Sequence, residues 1–210
     1  MNRTYSSPLR AEQAQATRRR ILDAARAQFL DAGWTATTVK VIADAAAVAP
    51  ATVYAVFGTK RAVLSALIDE ALASALPDPE HPDGWPDIVA HPDQRERARR
   101  LVSLLSASLL RVGPFERVVR EGARADEEIA ALARDLLQWR RAGAARIVDV
   151  LAGQDGLRPG LSRDAAADLV FALGGPDVYH LLVDIRGWSP EQFGAHLADL
   201  LGRFIPDHLA

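Results

Sequence analysis

The sequence predicts an all-α protein, and three features of its pattern indicate this. Apolar residues recur every three or four positions over most of the chain, which is the period of a helix with one buried face. Prolines, glycines and residues that commonly cap helices separate these segments. No segment of useful length alternates apolar and polar residues as a half-buried strand does. The 210 residues contain no cysteine, so disulfides, thiolate metal sites and a cysteine nucleophile are excluded.

Charge is unevenly distributed along the chain. The net charge is −2, yet residues 1–65 hold nine basic and four acidic side chains, so this segment carries +5 and the remainder −7. A basic end on an acidic body fits a polyanionic partner, and a chance surface imbalance is the alternative. The N-terminus lacks the apolar region of a secretory signal, and no apolar run approaches the roughly 20 residues of a membrane span. We therefore expect a cytoplasmic protein.

The first part of the chain is predicted to form a domain over residues 17–76. We expect a flexible basic arm over residues 1–16, then a first helix that begins at the capping residue Thr17 and ends at Gly33. Thr38 can cap a second helix, VKVIADAA. A short turn separates the second helix from a third.

The third predicted helix, PATVYAVF, is only about two turns long. Pro50 suits its first position, and Gly58–Thr59 ends it and caps a fourth helix. Val53, Val56 and Phe57 are expected to face inward. An isolated helix of this length is unstable in water, so the helices before and after must hold it in place.

An ordered set of motifs between Arg18 and Leu67 resembles the N-terminal domain of the tetracycline-repressor (TetR) family of transcriptional regulators. The residues that carry the resemblance are Phe29 with Gly33, Thr38–Ala43, Thr52–Phe57 and Lys60. Their order and spacing match that family without a gap. The resemblance implies a helix-turn-helix, in which the third helix presents its outward face to DNA.

The sequence departs from the family pattern at three positions around the turn. Ala47 occupies the place of the usual turn glycine, and Ala49 that of the serine which caps the third helix. Val41 replaces the acidic residue that often completes a capping box with Thr38. Each loss is expected to cost about 1 kcal/mol of local stability. None removes a group that would contact DNA.

The resemblance also implies which side chains contact DNA. Lys40 could reach a guanine edge or a phosphate, Thr52 the bases, and Tyr54 a phosphate or a base. Lys60, at the start of the fourth helix, suits a phosphate. A half-buried, bracing position is the alternative for Tyr54. The predicted DNA-binding residues are Thr38, Lys40, Pro50, Ala51, Thr52, Tyr54, Ala55, Thr59 and Lys60.

The second part of the chain begins with a proline-rich connection over residues 77–92, in which His81 and His91 have no metal-ligand partners at suitable spacing. A regulatory domain is predicted over residues 93–210. Its first helix is expected to run from the cap Asp93 to Gly113–Pro114. A short helix should follow to about residue 122.

Three further segments complete this predicted domain. Asp126 can cap a long helix to about residue 151, and Ser162 can start the next. Gly174–Pro176 interrupts that helix and begins another piece, which Gly187 ends. Ser189–Gln192 combines a cap, a first-turn proline and the glutamine of a capping box.

The resemblance further implies a small-molecule pocket among the helices of residues 93–173 and a dimer built from the last two helices. For the pocket residues, ordinary core packing is the alternative, and for the last helices, completion of a monomer core. The candidate ligand-binding residues are Ser108, Phe115, Val119, Trp139 and Phe171. The candidate dimer-interface residues are Val178, Leu181, Leu182, Ile185, Phe193, Leu197, Leu200, Leu201 and Phe204.

The sequence contains no motif of nucleophilic, metal-dependent or phosphate-binding catalysis. We therefore predict no enzymatic activity, no cofactor and no metal. The expected function is a sequence-specific DNA-binding transcriptional regulator, a homodimeric repressor that a small-molecule effector releases from a palindromic operator. The alternative is a helix-turn-helix interaction protein that binds DNA without an effector.

Overall fold

The computed structural model describes residues 8–75, 85–153, 156–204 and 206, and all regular structure within them is helical. This confirms the predicted all-α class. A π-helical turn, His180–Ile185, lies between the last two α-helices. The α-helices are α1 Pro8–Ala36, α2 Val39–Ala45, α3 Pro50–Phe57, α4 Lys60–Ala75, α5 Trp85–Val89, α6 Gln94–Gly122, α7 Glu127–Ala152, α8 Arg163–Leu173, α9 Pro176–Tyr179 and α10 Pro190–Gly202.

The chain forms two compact units. The N-terminal unit comprises Met1–Glu70 with Arg117–Leu132, and the C-terminal unit comprises Ala71–Glu116 with Ala133–Ala210. The end of α6 and the start of α7 therefore belong to the N-terminal unit. The sequence predicted two domains, each formed by one continuous stretch of the chain. That each unit combines two separate stretches was not predicted, because this depends on contacts between residues far apart in the chain.

The first helix begins earlier than predicted. α1 starts at Pro8, so residues 8–16 are helical and not a flexible arm, and Thr17 lies inside the helix instead of capping it. Several alanines and glutamines in this stretch favour a helix even though the side chains of residues 10–16 are exposed. The predicted stop at Gly33 corresponds to a break inside α1, because this glycine has a non-helical φ of 74° and a second helical stretch continues to Ala36.

The helix α6 is also longer than predicted, since Pro114 lies inside it and does not end it. A proline there removes one backbone hydrogen bond. Buried apolar side chains on both sides, Val112, Phe115 and Val118, hold the two halves in place. Tertiary packing thus outweighs the local signal of Gly113–Pro114.

Most predicted helix starts are confirmed by the hydrogen bonds at the caps. Thr38 Oγ1 accepts the N–H of Val41 at 3.2 Å. Asp93 accepts backbone N–H groups at the start of α6, and Ser189 with Gln192 forms the capping box of α10. Thr59, Asp126 and Ser162 cap in the same manner.

The proline-rich connection is partly helical. Residues 76–84, which include His81, lie outside the described residues, and α5 occupies part of the remainder. The prediction was a connection without a long helix, and α5, in the described part of it, has only five residues. Within the described ranges no single helix is long and apolar enough to cross a membrane, although two bent helix pairs reach that length and composition together.

Each unit has its own apolar core. In the C-terminal unit the core draws on α6, α7, α8 and α10, with residues such as Leu101, Leu151, Val170 and Leu201. In the N-terminal unit it includes residues from α1 to α4. These are Ile21, Ala25, Phe29, Ile42, Ala43, Val53, Leu64 and Leu67. The short α3 is thus held mainly through Val53, which is 1% exposed.

Candidate nucleic-acid interface and effector cavity

The helices α2 and α3 have the geometry of a helix-turn-helix. The chain bends by 107° between them, and such motifs bend by about 90–120°. The turn is closed by the N–H of Val48, which donates to the carbonyl of Ala43 at 3.0 Å. Ala47 adopts φ 52° there, although it is not a glycine, and this costs about 1 kcal/mol. Having Ala47 in place of the usual glycine therefore raises the conformational free energy of the turn but does not change its shape.

The outward face of α3 consists of small side chains around one aromatic. Ala51 and Ala55 are exposed, Thr52 is half-buried, and Tyr54 is 53% exposed. Val56 was predicted to face inward, but it is 39% exposed. The N–H of Thr52 donates to Ala49, whose own side chain makes no capping bond. This face can approach a groove closely, because its alanines occupy little space.

Lys40 lies at the exposed surface of α2. Its Nζ donates to Asp44 Oδ2 at 2.9 Å, and its side chain is 78% exposed. This hydrogen bond, and the charge of Asp44, raise the pKa of Lys40 above its usual value. Exposed ion pairs of this kind contribute little to stability. Lys40 can therefore exchange Asp44 for a phosphate at small cost.

Lys60 occupies a different position. Its Nζ donates to the carbonyls of Trp34 and Thr37, at 2.9 Å each, and lies 3.6 Å from the centre of the Trp34 ring. Burial lowers the pKa of Lys60, and the charge of Asp126 partly opposes this. The amine thus closes the segment between α1 and α2. Its predicted phosphate contact is neither confirmed nor contradicted by this arrangement and stays a prediction.

Trp34 organises the contacts around Lys60 and was not predicted as a site residue. It is 5% exposed and stacks on Phe29, with ring centres 5.8 Å apart. Its Nε1–H donates to Asp126 at 3.0 Å. Gly122 lies so close that a Cβ there would be 2.7 Å from the Trp34 ring. A large aromatic directly after the helix-ending glycine was the only signal in the sequence.

Thr37 completes this network as a fully buried polar residue. Its hydroxyl donates to the carbonyl of Gly33 at 2.8 Å, and the carbonyl of Gln28 lies 3.0 Å away. The last carbonyls of the first helix, which have no partner within it, are satisfied in this way. The entry to α2 is thus fixed by Thr37 and Lys60 together.

The basic residues ahead of the helix-turn-helix lie beside it. The guanidinium of Arg18 is 4.7 Å from the centre of the Phe57 ring, while Arg19 and Arg20 are exposed. Three consecutive cations repel one another, so a nearby anion would stabilise them. The charge pattern and the exposed face of α3 therefore belong to the same unit.

Comparison with known proteins identifies this unit. Residues 21–67 match the model of "Bacterial regulatory proteins, tetR family". Over these residues the chain is similar to the tetR family. It is thus a DNA-binding transcriptional regulator with a helix-turn-helix, as the motifs between Arg18 and Leu67 predicted.

The likeness to individual relatives extends over most of the chain. It is 29% identical over 170 residues to the uncharacterized HTH-type transcriptional regulator YdeS of Bacillus subtilis (strain 168), covering 80% of each chain. Its fold is similar to that of NalD, the secondary repressor of the MexAB-OprM multidrug efflux pump in Pseudomonas aeruginosa. That pair has 23% identity and a TM-score of 0.67, over 91% of this chain and 96% of the other.

A second structural relative is FadR from Bacillus subtilis, solved in complex with stearoyl-CoA. It shares 19% identity and a TM-score of 0.63, over 87% of this chain and 96% of that one. At such identities the likeness to the solved structures establishes the fold. The all-α arrangement, with an N-terminal helix-turn-helix before a helical second part, is therefore shared.

The C-terminal unit contains a cavity of about 80 Å³ between α6, α7 and α8. Its walls are mainly apolar, and the charged residues among them are Glu116, Arg140 and Arg146. The lining residues are Leu101, Leu104, Leu105, Ser108, Leu109, Gly113, Glu116, Trp139, Arg140, Gly143, Ala144, Arg146, Ile147, Val170, Phe171 and Gly174.

Three of the five candidate ligand-binding residues line this cavity, namely Ser108, Trp139 and Phe171. Phe115 and Val119 do not line it, and each is 1% exposed within the packed interior. Both lie in the core, and their predicted contact with a ligand stays a prediction. Arg140 and Glu116 were not predicted as site residues, because a charged pair on two helices looks like ordinary surface charge until the helices are packed.

The candidate dimer-interface residues divide into two groups. Leu181, Ile185 and Leu200 are 53%, 62% and 39% exposed, and Val178 and Leu182 are half-buried. The others are at most 6% exposed within the chain's own core, so they have almost no surface left to bury against a partner. For these buried residues the interface role stays a prediction, and they are Phe193, Leu197, Leu201 and Phe204.

Proposed function

We propose that this regulator is a repressor that binds a palindromic operator as a homodimer and leaves it when a small molecule occupies the cavity of the C-terminal unit. The exposed face of α3 carries the DNA-binding part of the proposal. Ala51 and Ala55 can meet thymine methyl groups, while Thr52 and Tyr54 offer hydroxyl groups to bases or phosphates. Lys40, exposed on α2, adds a cation next to this face.

The apolar side chains left exposed near the C-terminus support the homodimer. Leu181 and Ile185 on the π-helical turn and Leu200 on α10 form no part of the chain's own core. Helices that expose apolar surface at a chain end can pair with their copies in a four-helix interface. A dimer also places two recognition helices in successive major grooves, about 34–36 Å apart.

The cavity supports an effector over the alternative, a DNA-associated protein without one. That alternative requires a fully packed second unit, whereas a cavity with apolar walls is present. The solved complex of FadR with stearoyl-CoA also shows a small molecule bound to a protein of this fold. An effector acts by favouring a dimer whose recognition helices no longer match the two grooves.

DNA binding is tested by comparing Lys40→Ala with Arg203→Ala. Both remove an exposed cation paired with an aspartate four residues away, and only Lys40 lies next to α3. DNA sequences selected from a random library are titrated by fluorescence anisotropy across salt concentrations. Lys40→Ala should weaken binding to all sequences and lower the salt slope by about one unit. Equal slopes for the two variants would contradict the assignment of Lys40.

Sequence preference and the dimer are tested separately. Thr52→Ala should change the order of affinity among the selected operators, because Thr52 faces the bases. Ile185→Asp should give a monomer in analytical ultracentrifugation, while Leu137→Asp, at an exposed leucine of α7, should stay dimeric. A monomeric wild type would contradict the dimer directly.

A further inference from the structure

The walls of the cavity in the C-terminal unit determine which molecules can enter it. Leucines from α6, together with Trp139 and Phe171, form most of the lining. Binding an apolar molecule against such walls removes apolar surface from water, which is favourable. A strongly hydrated molecule would lose its hydrogen bonds to water there and form few in return. The occupant must therefore be mainly apolar.

Ser108 supplies one polar group inside these walls. It is 8% exposed and lines the cavity. Across the ranges that the structure covers, its hydroxyl has no hydrogen bond, not even back to its own helix. Buried hydroxyls are nearly always paired. An occupant that offers one hydroxyl or carbonyl group would satisfy it.

The charges at the cavity are already compensated. Arg140 and Glu116 lie 3.6 Å apart, with side chains 15% and 10% exposed. Arg140 also donates to the carbonyl of Phe171 at 3.1 Å and lies over its ring at 4.7 Å. A carboxylate or ammonium group entering here would leave one buried charge without a partner, which is costly. Arg146, the remaining charged lining residue, is exposed to solvent.

The volume sets the size of the occupant. About 80 Å³ is less than the cavity of about 150 Å³ that takes up benzene in an engineered protein. Half-buried side chains in the wall, such as Leu104 and Trp139, must therefore move to admit a single ring. A ligand that moves these side chains can also shift the equilibrium between two conformations of the protein.

On these grounds, and resting on the proposed effector role of the cavity, we propose that the cavity binds an uncharged, mainly apolar molecule of about one ring whose hydroxyl or carbonyl group bonds with Ser108. The ion pair of Arg140 and Glu116 excludes charged analogues of the same size.

Four single-ring probes test this with the full-length protein: phenol, toluene, benzoate and benzylamine. Calorimetric titration without DNA should give the order phenol, then toluene, with benzoate and benzylamine weakest at pH 7. Phenol and toluene have the same shape and differ in the hydrogen-bonding group. Tighter binding of benzoate or benzylamine, or no binding of phenol at millimolar concentration, would overturn the proposal.

Two variants locate the site. Ser108→Ala should lower the affinity for phenol about tenfold and leave toluene unchanged, as expected for the loss of one buried hydrogen bond. Ser106→Ala is the matched control, because Ser106 is on the same helix and also has an unpartnered hydroxyl, but lines a separate groove against α10. Equal losses in both variants would contradict the role of Ser108.

Gly143→Leu blocks the cavity without touching its polar groups. Gly143 lines the cavity, and a Cβ there meets nothing within 4 Å. The leucine should abolish phenol binding while the protein stays folded in thermal denaturation. Phenol binding that survives this change would place the ligand elsewhere and overturn the proposal.

The same titrations separate this inference from the proposed function. If phenol binds with the predicted dependence on Ser108 but never weakens operator binding, the ligand class holds and the effector mechanism fails. If another compound releases the operator while phenol does not bind, the effector mechanism holds and the ligand class fails.

Discussion

The two units of the protein differ in whether their buried polar groups have hydrogen-bond partners. In the N-terminal unit, the hydroxyl of Thr37 and the amine of Lys60 both bond to backbone carbonyls. In the C-terminal unit, Gln94, Arg97, Ser106 and Tyr179 each carry a buried side-chain atom without a hydrogen-bond partner. Over the described ranges, every such atom lies in that unit.

This difference matches the two tasks proposed for the units. A recognition helix of two turns must be held in one position, and specific hydrogen bonds achieve this where apolar area is small. A unit that accepts a ligand must be able to change its packing, and incompletely paired polar groups lower the cost of doing so. In the N-terminal unit, polar contacts thus fix the position of the recognition helix. In the C-terminal unit, the packing can still change when a ligand binds.

The largest effect is expected from adding one methyl group in the N-terminal unit. In Gly122→Ala the new Cβ would lie 2.7 Å from the Trp34 ring. This should lower the free energy of unfolding by about 1–3 kcal/mol, because a packed ring must move.

Gly143→Ala in the C-terminal unit is the control, since its Cβ meets open space. It should raise the stability by up to about 1 kcal/mol, as alanine is the better helix former. Urea denaturation of both variants checks the contrast. Equal effects would show that the two units do not differ in their tolerance of added volume.

A smaller effect should distinguish the only two lysines of the chain. Lys60→Met keeps the aliphatic stem and removes the amine, so the carbonyls of Trp34 and Thr37 lose their charged donor. Stability should fall by about 1–2 kcal/mol. Lys40→Met should leave stability unchanged, because its pair with Asp44 is exposed.

DNA titrations of the same two variants decide whether Lys60 also contacts phosphate. A purely internal amine predicts that Lys40→Met lowers the salt slope of binding and that folded Lys60→Met does not. A lower slope for Lys60→Met, with stability unchanged, would instead support the phosphate contact inferred from the sequence.

What the sequence could predict follows from how local each feature is. Caps such as Thr38, Asp93 and Ser189 act over three residues, and all three were predicted correctly. Pro114 was misjudged because packing around α6 outweighs a local helix-breaking signal. The partners of Lys60 are Trp34 and Thr37, 26 and 23 residues away, and nothing within a short segment encodes them.

The site followed the same rule. The residues of the exposed face of α3 were identified because the family pattern fixes their spacing along one helix. The cavity was predicted only in part, since its walls come from three helices whose relative rotation the apolar pattern leaves open. Phe193 and Leu197 lie on the stripe assigned to the dimer, yet that stripe packs into the chain's own core. An amphipathic pattern shows that one face of a helix is buried, but it does not show which element that face packs against.

The smallest expected effect is the pH dependence of stability that comes from helix caps, compared for α2 in the N-terminal unit and α6 in the C-terminal unit. Thr38 caps α2 through an uncharged hydroxyl, whereas Asp93 caps α6 through a carboxylate that accepts the N–H groups of Glu96 and Arg95. These bonds lower the pKa of Asp93 below its usual value of 3.8, and hydrogen bonds from Arg100 and Arg99 lower the pKa of Glu96. A lowered folded-state pKa stabilises the protein above the unfolded value, and that stability is lost as the pH falls through the folded value.

Acid should therefore weaken the cap of α6 and leave that of α2 intact. In Asp93→Asn the amide oxygen can still accept the N–H groups but no longer titrates in acid. The wild type should be more stable than Asp93→Asn at pH 6, and this difference should shrink as the pH is lowered below 3.8. Thr38→Ser should instead differ from the wild type by the same amount at both pH values. Urea denaturation at pH 6 and pH 3 measures both differences, and a constant offset for Asp93→Asn would show that the charge of its cap does not stabilise α6.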